Sequence, residues 1–324
     1  MASGRKPKIN NEESVVPNKQ IKIHGRILKG VGGNYQILTD AGNEVTAKPR
    51  GILRKTKTTP YPGDFVDLSF TDEENTKYSI DEVHPRGNFL SRPAIANLDL
   101  IIITCSACNP KPDCFFIDKL IILCKKAGID ASICITKADL DPQEADLIYN
   151  VYKRAEIPVF ILGDSPEYQE DFNKLKMFIA GKTVSFSGQS GVGKSTLLNK
   201  LIKRLGMPVG EVNAKIGKGR HTTRHSQIFA CESGFLADTP GFSSLELEDL
   251  EVTGDEVLRG YPEIARIEGE CRFTGCRHIG EAGCAIDENE IDSGRLARYR
   301  QFRKSMDTIQ PYEFKKREER RKEN

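Results

Sequence analysis

The rhythm of hydrophobic and polar positions changes twice along the chain. Between residues 20 and 84 the two alternate in short runs: IKIHGRIL, NYQILTD, EVTAKP, DFVDLSF and KYSIDEV. A period of two is that of a half-buried strand, and the intervening DAGN and YPGD supply turn chemistry. Five such strands in so little chain predict a small OB-like barrel. Between residues 90 and 242 the character changes, and LDLIIITC is a continuous apolar run. LDLIIITC, DASICIT, IPVFILG and TVSFSG read as strands buried on both faces of a parallel sheet. Stretches 114–127, 143–155, 167–180 and 194–205 predict helices around them. That alternation predicts a parallel sheet covered by helices on both sides. SQIFAC and GFLADTPG, joined by ESG, predict an antiparallel hairpin added to it. From residue 243 the chain is mostly polar and holds a Cys/His cluster, and from about residue 288 it is helix-prone. The expected organisation is a disordered basic tail at 1–19, the barrel at 20–85, the α/β domain at 90–243 and a small metal-binding helical domain with a basic C-terminal helix at 244–324.

Composition narrows the class. Among 324 residues no run of eighteen is apolar, so no membrane span is expected. The opening MASGRKPKINNEES lacks the apolar core of a secretory signal. Nine cysteines without such a signal read as reduced thiols or metal ligands, and a cytoplasmic location is expected. The net charge of +2 conceals strong segregation. Residues 1–57 carry twelve Lys/Arg against four acids, 238–294 fifteen acids against four Lys/Arg, and 295–322 eleven Lys/Arg against four acids. Two basic ends suggest a polyanionic partner touched at more than one place. The connection KPRGILRKTKTTPYP holds Lys48, Arg50, Arg54, Lys55 and Lys57 and no acid. A basic loop on a small barrel suits nucleic acid, and a plain solvated loop is the alternative.

The most specific motif is Gly188-Gln189-Ser190-Gly191-Val192-Gly193-Lys194-Ser195, followed by Thr196. It comes after the strand TVSF and opens a helix, the context that a phosphate loop requires. Its glycines let backbone N–H groups turn inward, and the helix start adds a positive dipole end. Lys194 would reach the outer phosphates and Ser195 a magnesium ion. Upstream, Thr136-Lys137-Ala138-Asp139 sits at a strand end. An Asp there can accept from the N1–H and the exocyclic amine of guanine, a donor pair adenine lacks. The usual first residue of this motif is Asn, and the hydroxyl of Thr136 has a shorter reach. After the phosphate loop, Asp238-Thr239-Pro240-Gly241 offers an Asp for magnesium and a backbone N–H for the γ-phosphate. GKGRHTTR, 217–224, lies where a mobile switch would sit and offers Thr222 and Thr223 as magnesium ligands. The base reader thus precedes the phosphate loop, a cyclic shift of the usual order. Such re-cutting is tolerated when the original ends lie close together.

Cys271-x4-Cys276-x-His278-x5-Cys284 supplies three thiolates and an imidazole, the ligand set of a closed structural zinc site. A core-poor, acidic segment needs such a staple. Cys105 and Cys108 lack nearby partners and read as small core or edge residues.

This motif order, with a barrel before it and a metal knot after it, resembles the RsgA (YjeQ) family of circularly permuted GTPases over about residues 20–310. GQSGVGKSTL, GRHTTR, DTPGF and the metal motif each look like that family's versions. The departures are Thr136 and the lack of a clear base-backing loop, for which ILGDS, 161–165, is the candidate. The resemblance implies a GTP hydrolase with magnesium and one structural zinc. It would act on the bacterial small ribosomal subunit and its RNA, bind GTP and GDP, and work as a monomer. It also implies a role for His221. The residue after Gly241 is Phe242, which cannot orient water, and His221 can swing in when a partner orders the switch. The rival from another class is an RNA-binding scaffold that uses GTP as a passive conformational ligand.

Overall fold

The computed structural model describes residues 22–72, 74, 76–204, 226–231, 234–238, 244 and 246–308. The barrel strands are β1 (Ile23–Val31), β2 (Asn34–Thr39), β3 (Glu44–Pro49), β4 (Phe65–Phe70) and β5 (Tyr78–Val83). β1 pairs with β2, β2 with β3, β3 with β5 and β5 with β4, and β4 returns to β1. This closes the five-stranded OB-like ring. Alternate positions point inward, so Ile27, Ile37, Val66, Leu68 and Ile80 fill the interior. The basic connection is not the plain loop its composition predicts. It holds a short helix, α1 (Gly51–Lys55), whose Leu53 is buried in the barrel core. One apolar anchor pins the segment while Lys48, Lys55 and Lys57 stay exposed.

A hairpin of three-residue strands, β6 (Phe89–Ser91) and β7 (Ala94–Ala96), leads into the α/β region. There follow β8 (Leu100–Ser106), α2 (Cys114–Ala127), β9 (Asp130–Thr136), α3 (Pro142–Arg154), β10 (Val159–Ile161), α4 (Gln169–Ile179), β11 (Thr183–Ser187), α5 (Lys194–Arg204), β12 (Gln227–Cys231) and β13 (Gly234–Asp238). The strands lie in the order β10-β9-β8-β11-β13-β12, parallel except for β12. The chain therefore enters mid-sheet at β8 and runs out to one edge at β10. It then crosses back to β11 beside its starting strand and finishes the other half. β12 also meets β1, Lys29 opposite Gln227, which joins barrel and sheet.

β8 is buried along its whole length and β9 everywhere after Asp130, as strands covered on both faces are. One core lies under α4 and α5, where Leu100, Ile102, Leu175, Val184 and Leu201 meet. The other face carries α2 and α3, and on it the acid-rich C-terminal segment. That segment is expected to be core-poor. Instead Val252, Val257, Tyr261, Ile264, Tyr299 and Phe302 share one hydrophobic cluster with Ile101, Ile103 and Leu120. They belong to α6 (Gly254–Arg259), α7 (Pro262–Ala265) and α8 (Ser293–Asp307) or adjoin them.

A buried ionic cluster fixes this packing. Asp118 of α2 is fully buried. Its two oxygens accept from Arg295 Nη1 at 2.6 Å, Arg298 Nε at 2.6 Å, the Tyr152 hydroxyl at 2.8 Å and the Tyr261 hydroxyl at 3.2 Å. Arg295, itself buried, also donates to Glu263 at 2.5 Å and to the Gly260 carbonyl at 2.9 Å. The other arginines of α8 are committed too: Arg303 to Asp255 and Asp307, and Arg300 to Glu288. The four arginines of the basic helix thus spend their charge inside the chain, while Lys304 stays exposed. Among the described residues no helix is long and apolar enough to cross a membrane.

Arg295→Ala would leave the buried Glu263 without its cation and Asp118 with Arg298 alone, and breaking a buried pair in this way costs about 3–5 kcal/mol. Denaturant unfolding followed by amide hydrogen exchange should find α6 and α8 losing protection while the amides of β8 and β9 keep theirs.

Candidate functional site

Parallel strands deliver their following loops to one carboxyl edge. β8, β9 and β10 end there in register, with Ser106 opposite Thr136 and Ile135 opposite Ile161. β11 and β13 end on the same edge. The phosphate-loop motif, the TKAD motif and Asp238 therefore converge although they lie far apart in sequence.

The glycine loop leaves β11 at Gly188, whose φ is +150°. A Cβ there would stand 2.1 Å from the Thr104 carbonyl oxygen on β8, so only glycine fits the approach. The chain then turns back and α5 begins at Lys194. The Lys194 ammonium folds over the loop and donates to the carbonyls of Gly188 and Gln189, each at 2.6 Å. Burial pushes its pKa below the ordinary lysine value, and an anion in the loop would reverse that shift. Gln189 donates to Asp113 at 3.3 Å, and Asp113 caps the first turn of α2 through the Phe116 N–H.

Thr136 is buried between the two motifs. Its hydroxyl lies 3.0 Å from the Cys105 carbonyl and 2.5 Å from the Val192 carbonyl in the glycine loop. One hydroxyl has one proton, so it donates to one of these two carbonyls at a time. The short side chain suffices because the loop approaches it closely. A Cβ on Gly193 would lie 3.4 Å from Thr136 Oγ1. Lys137, at φ +56°, stretches over the same loop and donates to the carbonyls of Asn109 and Gly191. The Ala138 N–H donates to the Leu162 carbonyl at 3.0 Å, anchoring the turn to the end of β10.

Asp139 faces the segment that follows β10. Its Oδ1 accepts from the Asp164 N–H at 3.1 Å, and Gly163 lies between it and the Tyr168 ring. ILGDS is thus the loop that backs Asp139. Its Asp164 is held by Lys200 of α5 at 2.6 Å. Thr136, Lys137, Asp139, Gly163, Tyr168 and Thr196 line a cleft of about 840 Å³. That volume lies in the range of small-molecule sites, about 300–1,000 Å³. Tyr168 and Lys200 belong to no motif, and only the fold brings them here. At the other side, burial raises the pKa of Asp238 at the end of β13. A divalent cation close by would hold it ionised. His221, Thr222, Thr223, Gly241 and Phe242 lie outside the described residues.

The second cluster is apart from this edge. His278 Nδ1 lies 3.6 Å from Cys271 Sγ, 4.0 Å from Cys276 Sγ and 3.5 Å from Cys284 Sγ. Tetrahedral zinc with its ordinary bond lengths sets S–N edges of about 3.5 Å. The donors therefore already stand near the corners that a tetrahedral ion would occupy. The Ala285 N–H points at Cys271 Sγ at 3.2 Å. Burial and the neighbouring sulfurs push the Cys276 thiol up to about 12, a condition that a divalent cation relieves. Glu281, held down to about 2 despite its burial, accepts from the N–H groups of Arg277 and Ile279 and ties the loop. Cys105 is buried at the end of β8 and Cys108 lies in the turn beyond it, and neither joins this cluster.

Comparison with known proteins finds relatives along most of the chain. A family described as RsgA GTPase matches residues 83–248, and one described as RsgA N-terminal domain matches residues 24–78. A protein of Ruminiclostridium cellulolyticum named small ribosomal subunit biogenesis GTPase RsgA is 41% identical over 303 residues, covering 92% of this chain and 98% of its own. One of the same name from Alkaliphilus metalliredigens is 37% identical, covering 85% and 93%. Among solved structures, YjeQ from Thermotoga maritima superposes with a TM-score of 0.74 at 25% identity, over 90% of this chain and all of its own. YloQ, described as a circularly permuted GTPase, gives 0.72 at 28% identity, over 90% and 96%.

Thr136→Val keeps the shape of that side chain and removes its donor. An unmatched buried carbonyl costs about 1–3 kcal/mol, so GTP and GDP affinities should fall together by roughly tenfold to a hundredfold. Thr136→Ser, which keeps the hydroxyl, should bind both much as the parent does. Equilibrium titration with a fluorescent guanine nucleotide reads both variants.

Proposed function

The chain belongs to the RsgA GTPase family, and from that premise we propose that it is a GTP hydrolase of small ribosomal subunit biogenesis. It binds the maturing subunit in its GTP state and leaves after hydrolysis. The observation that carries the reading is the Thr136–Val192 contact, which joins a guanine-type base reader to a phosphate loop in one cleft.

In this reading the N–H groups of residues 188–193 wrap the phosphates, and Lys194 reaches the outer ones. Ser195, Asp238 and Thr223 would hold magnesium, which supplies charge neutralisation at the β- and γ-oxygens. Asp139 accepts from the guanine edge, with Lys137 along the purine and the 161–165 loop behind it. The Gly241 N–H would meet the γ-phosphate. His221 would orient the attacking water once the subunit orders residues 217–224. The knot of Cys271, Cys276, His278 and Cys284 would hold one zinc ion with no open position, a folding role. Contact with ribosomal RNA falls to the barrel's exposed lysines and the basic residues 315–322, since the arginines of α8 are paired internally. A cytoplasmic monomer fits this task.

The test is GTP turnover with and without purified small subunits. Turnover should rise with the subunit. A general acid–base group commonly contributes about 10²–10⁴ in rate, so His221→Ala should lose a stimulation of that order while it binds GTP and subunit nearly as well as before. An unstimulated parent would leave only a nucleotide-binding scaffold. Equal stimulated rates in parent and variant would assign the water to another group.

Cys276→Ser should lower bound zinc and loosen the 271–284 loop while nucleotide binding is kept, because the cluster is apart from the sheet edge. Metal analysis together with hydrogen exchange checks it. Full zinc in a folded variant would remove Cys276 from the ligands.

A further inference from the structure

The barrel carries a second set of metal-type donors on its outer surface. Asp67 lies on β4, between β1 and β5. His24 of β1 is directly opposite it in register, and His84 follows β5, where its N–H donates to the Phe65 carbonyl at 2.9 Å. The strand ladder therefore fixes all three backbones. Asp67 is buried and the two imidazoles reach solvent. His24 Nδ1 stands 2.8 Å and His84 Nε2 2.6 Å from the same oxygen, Asp67 Oδ1. The donor atoms of the three residues all lie within 4.8 Å of one another.

The other oxygen, Oδ2, holds the Lys22 ammonium at 2.9 Å, which also stands 3.8 Å from Glu82. Lys22 is a long side chain, 62% exposed and easily displaced. A single buried carboxylate thus draws in one ammonium and two histidine nitrogens from both flanks. Pinning three strands needs no second imidazole and no solvent-facing opening.

We propose that His24, Asp67 and His84 form a surface site for a divalent transition-metal ion of the zinc class, with Lys22 as the internal cation that such an ion displaces. Two imidazoles and one carboxylate suit a borderline ion with an open position, and they disfavour magnesium, which takes oxygen ligands. Ligand atoms around a tetrahedral ion of this class sit about 3.4 Å apart, so small rotations of the two exposed rings make room. Because the ligands come from β1, β4 and the end of β5, a bound ion would also clamp the barrel.

The experiment uses the full chain without any affinity tag, its Cys/His knot already zinc-filled and its nucleotide site saturated with Mg–GDP. Titration calorimetry with added Zn²⁺ should find one further equivalent. His84→Gln and His24→Gln should each weaken it by about a hundredfold, since even an outer partner of a metal ligand is worth about 10–100-fold. Lys22→Ala should tighten it several-fold, an effect that a merely structural cluster would not give. GDP affinity and the circular dichroism spectrum without added zinc, unchanged from the parent, certify each fold. The proposal is overturned if no further equivalent binds, if it survives both histidine variants, or if Lys22→Ala leaves it unchanged.

Discussion

A parallel sheet has one edge at which its strands end and its loops turn, and the chemistry of this chain depends on that edge. The order in which strands are visited does not matter to the edge. It matters only that neighbours in space carry the right loops. β11, which brings the phosphate loop, sits between β8 and β13. The half visited before it, β8 to β10, supplies the Thr136–Asp139 turn and the 161–165 loop behind it. The half visited after it supplies Asp238. Cutting the chain before β8 leaves every one of these adjacencies in place. The join is then made by a few short contacts: Thr136 to Val192, Lys137 to Gly191, and Asp139 to Asp164.

Contacts continue from this edge into the rest of the molecule. Gln189 meets Asp113, which caps α2, and Asp118 stands on the same helix. Asp118 holds Arg295 and Arg298 of α8, and so the C-terminal segment that carries the Cys/His cluster. On the opposite side, β12 follows the 217–224 segment and pairs with β1 of the barrel. Phe235 of β13 stacks on the buried Arg26 guanidinium at 4.6 Å, with Phe65 of the barrel on its other flank at 4.9 Å. The residues proposed to sense the γ-phosphate therefore adjoin the strands that bear the barrel. Contiguity of this kind is the physical means by which nucleotide state can reach an RNA-binding surface, and coupling energy is what would establish it.

Much of this was legible in the sequence because local physics decided it. The apolar run LIII marks β8 as a strand buried on both faces, and β9, which carries Asp130, Ser132 and Thr136 among its apolar residues, is marked by its place in the alternation of strands and helices. The helix expected at 114–127 is Cys114–Ala127, bounded by Asp113 as N-cap and Gly128 in the left-handed conformation. The phosphate loop and the Cys/His spacing are short-range patterns. What was not legible rests on long-range partners. GILRK reads as loop because a five-residue helix has a single anchor, Leu53. The arginines of α8 read as a basic end for a polyanionic partner because Asp118 lies 177 residues away in the chain. His24, Asp67 and His84 belong to three different runs, and only barrel closure brings them together. Thr136 reads as a weakened motif until the closeness of Gly193 and Val192 explains why a short hydroxyl suffices.

The central claim is that a re-cut sheet still builds one guanine-selective site. Displacement of a bound fluorescent guanine nucleotide by unlabelled GTP, GDP and ATP tests it most directly. Sites that hydrogen-bond a substrate's donors reject analogues lacking them by about 10⁴–10⁵. GTP and GDP should displace the probe at similar low concentrations, and ATP should fail to do so at a thousandfold excess. Displacement by ATP at concentrations comparable to GTP would mean that Asp139 does not read the base and that the two motifs do not form a single site.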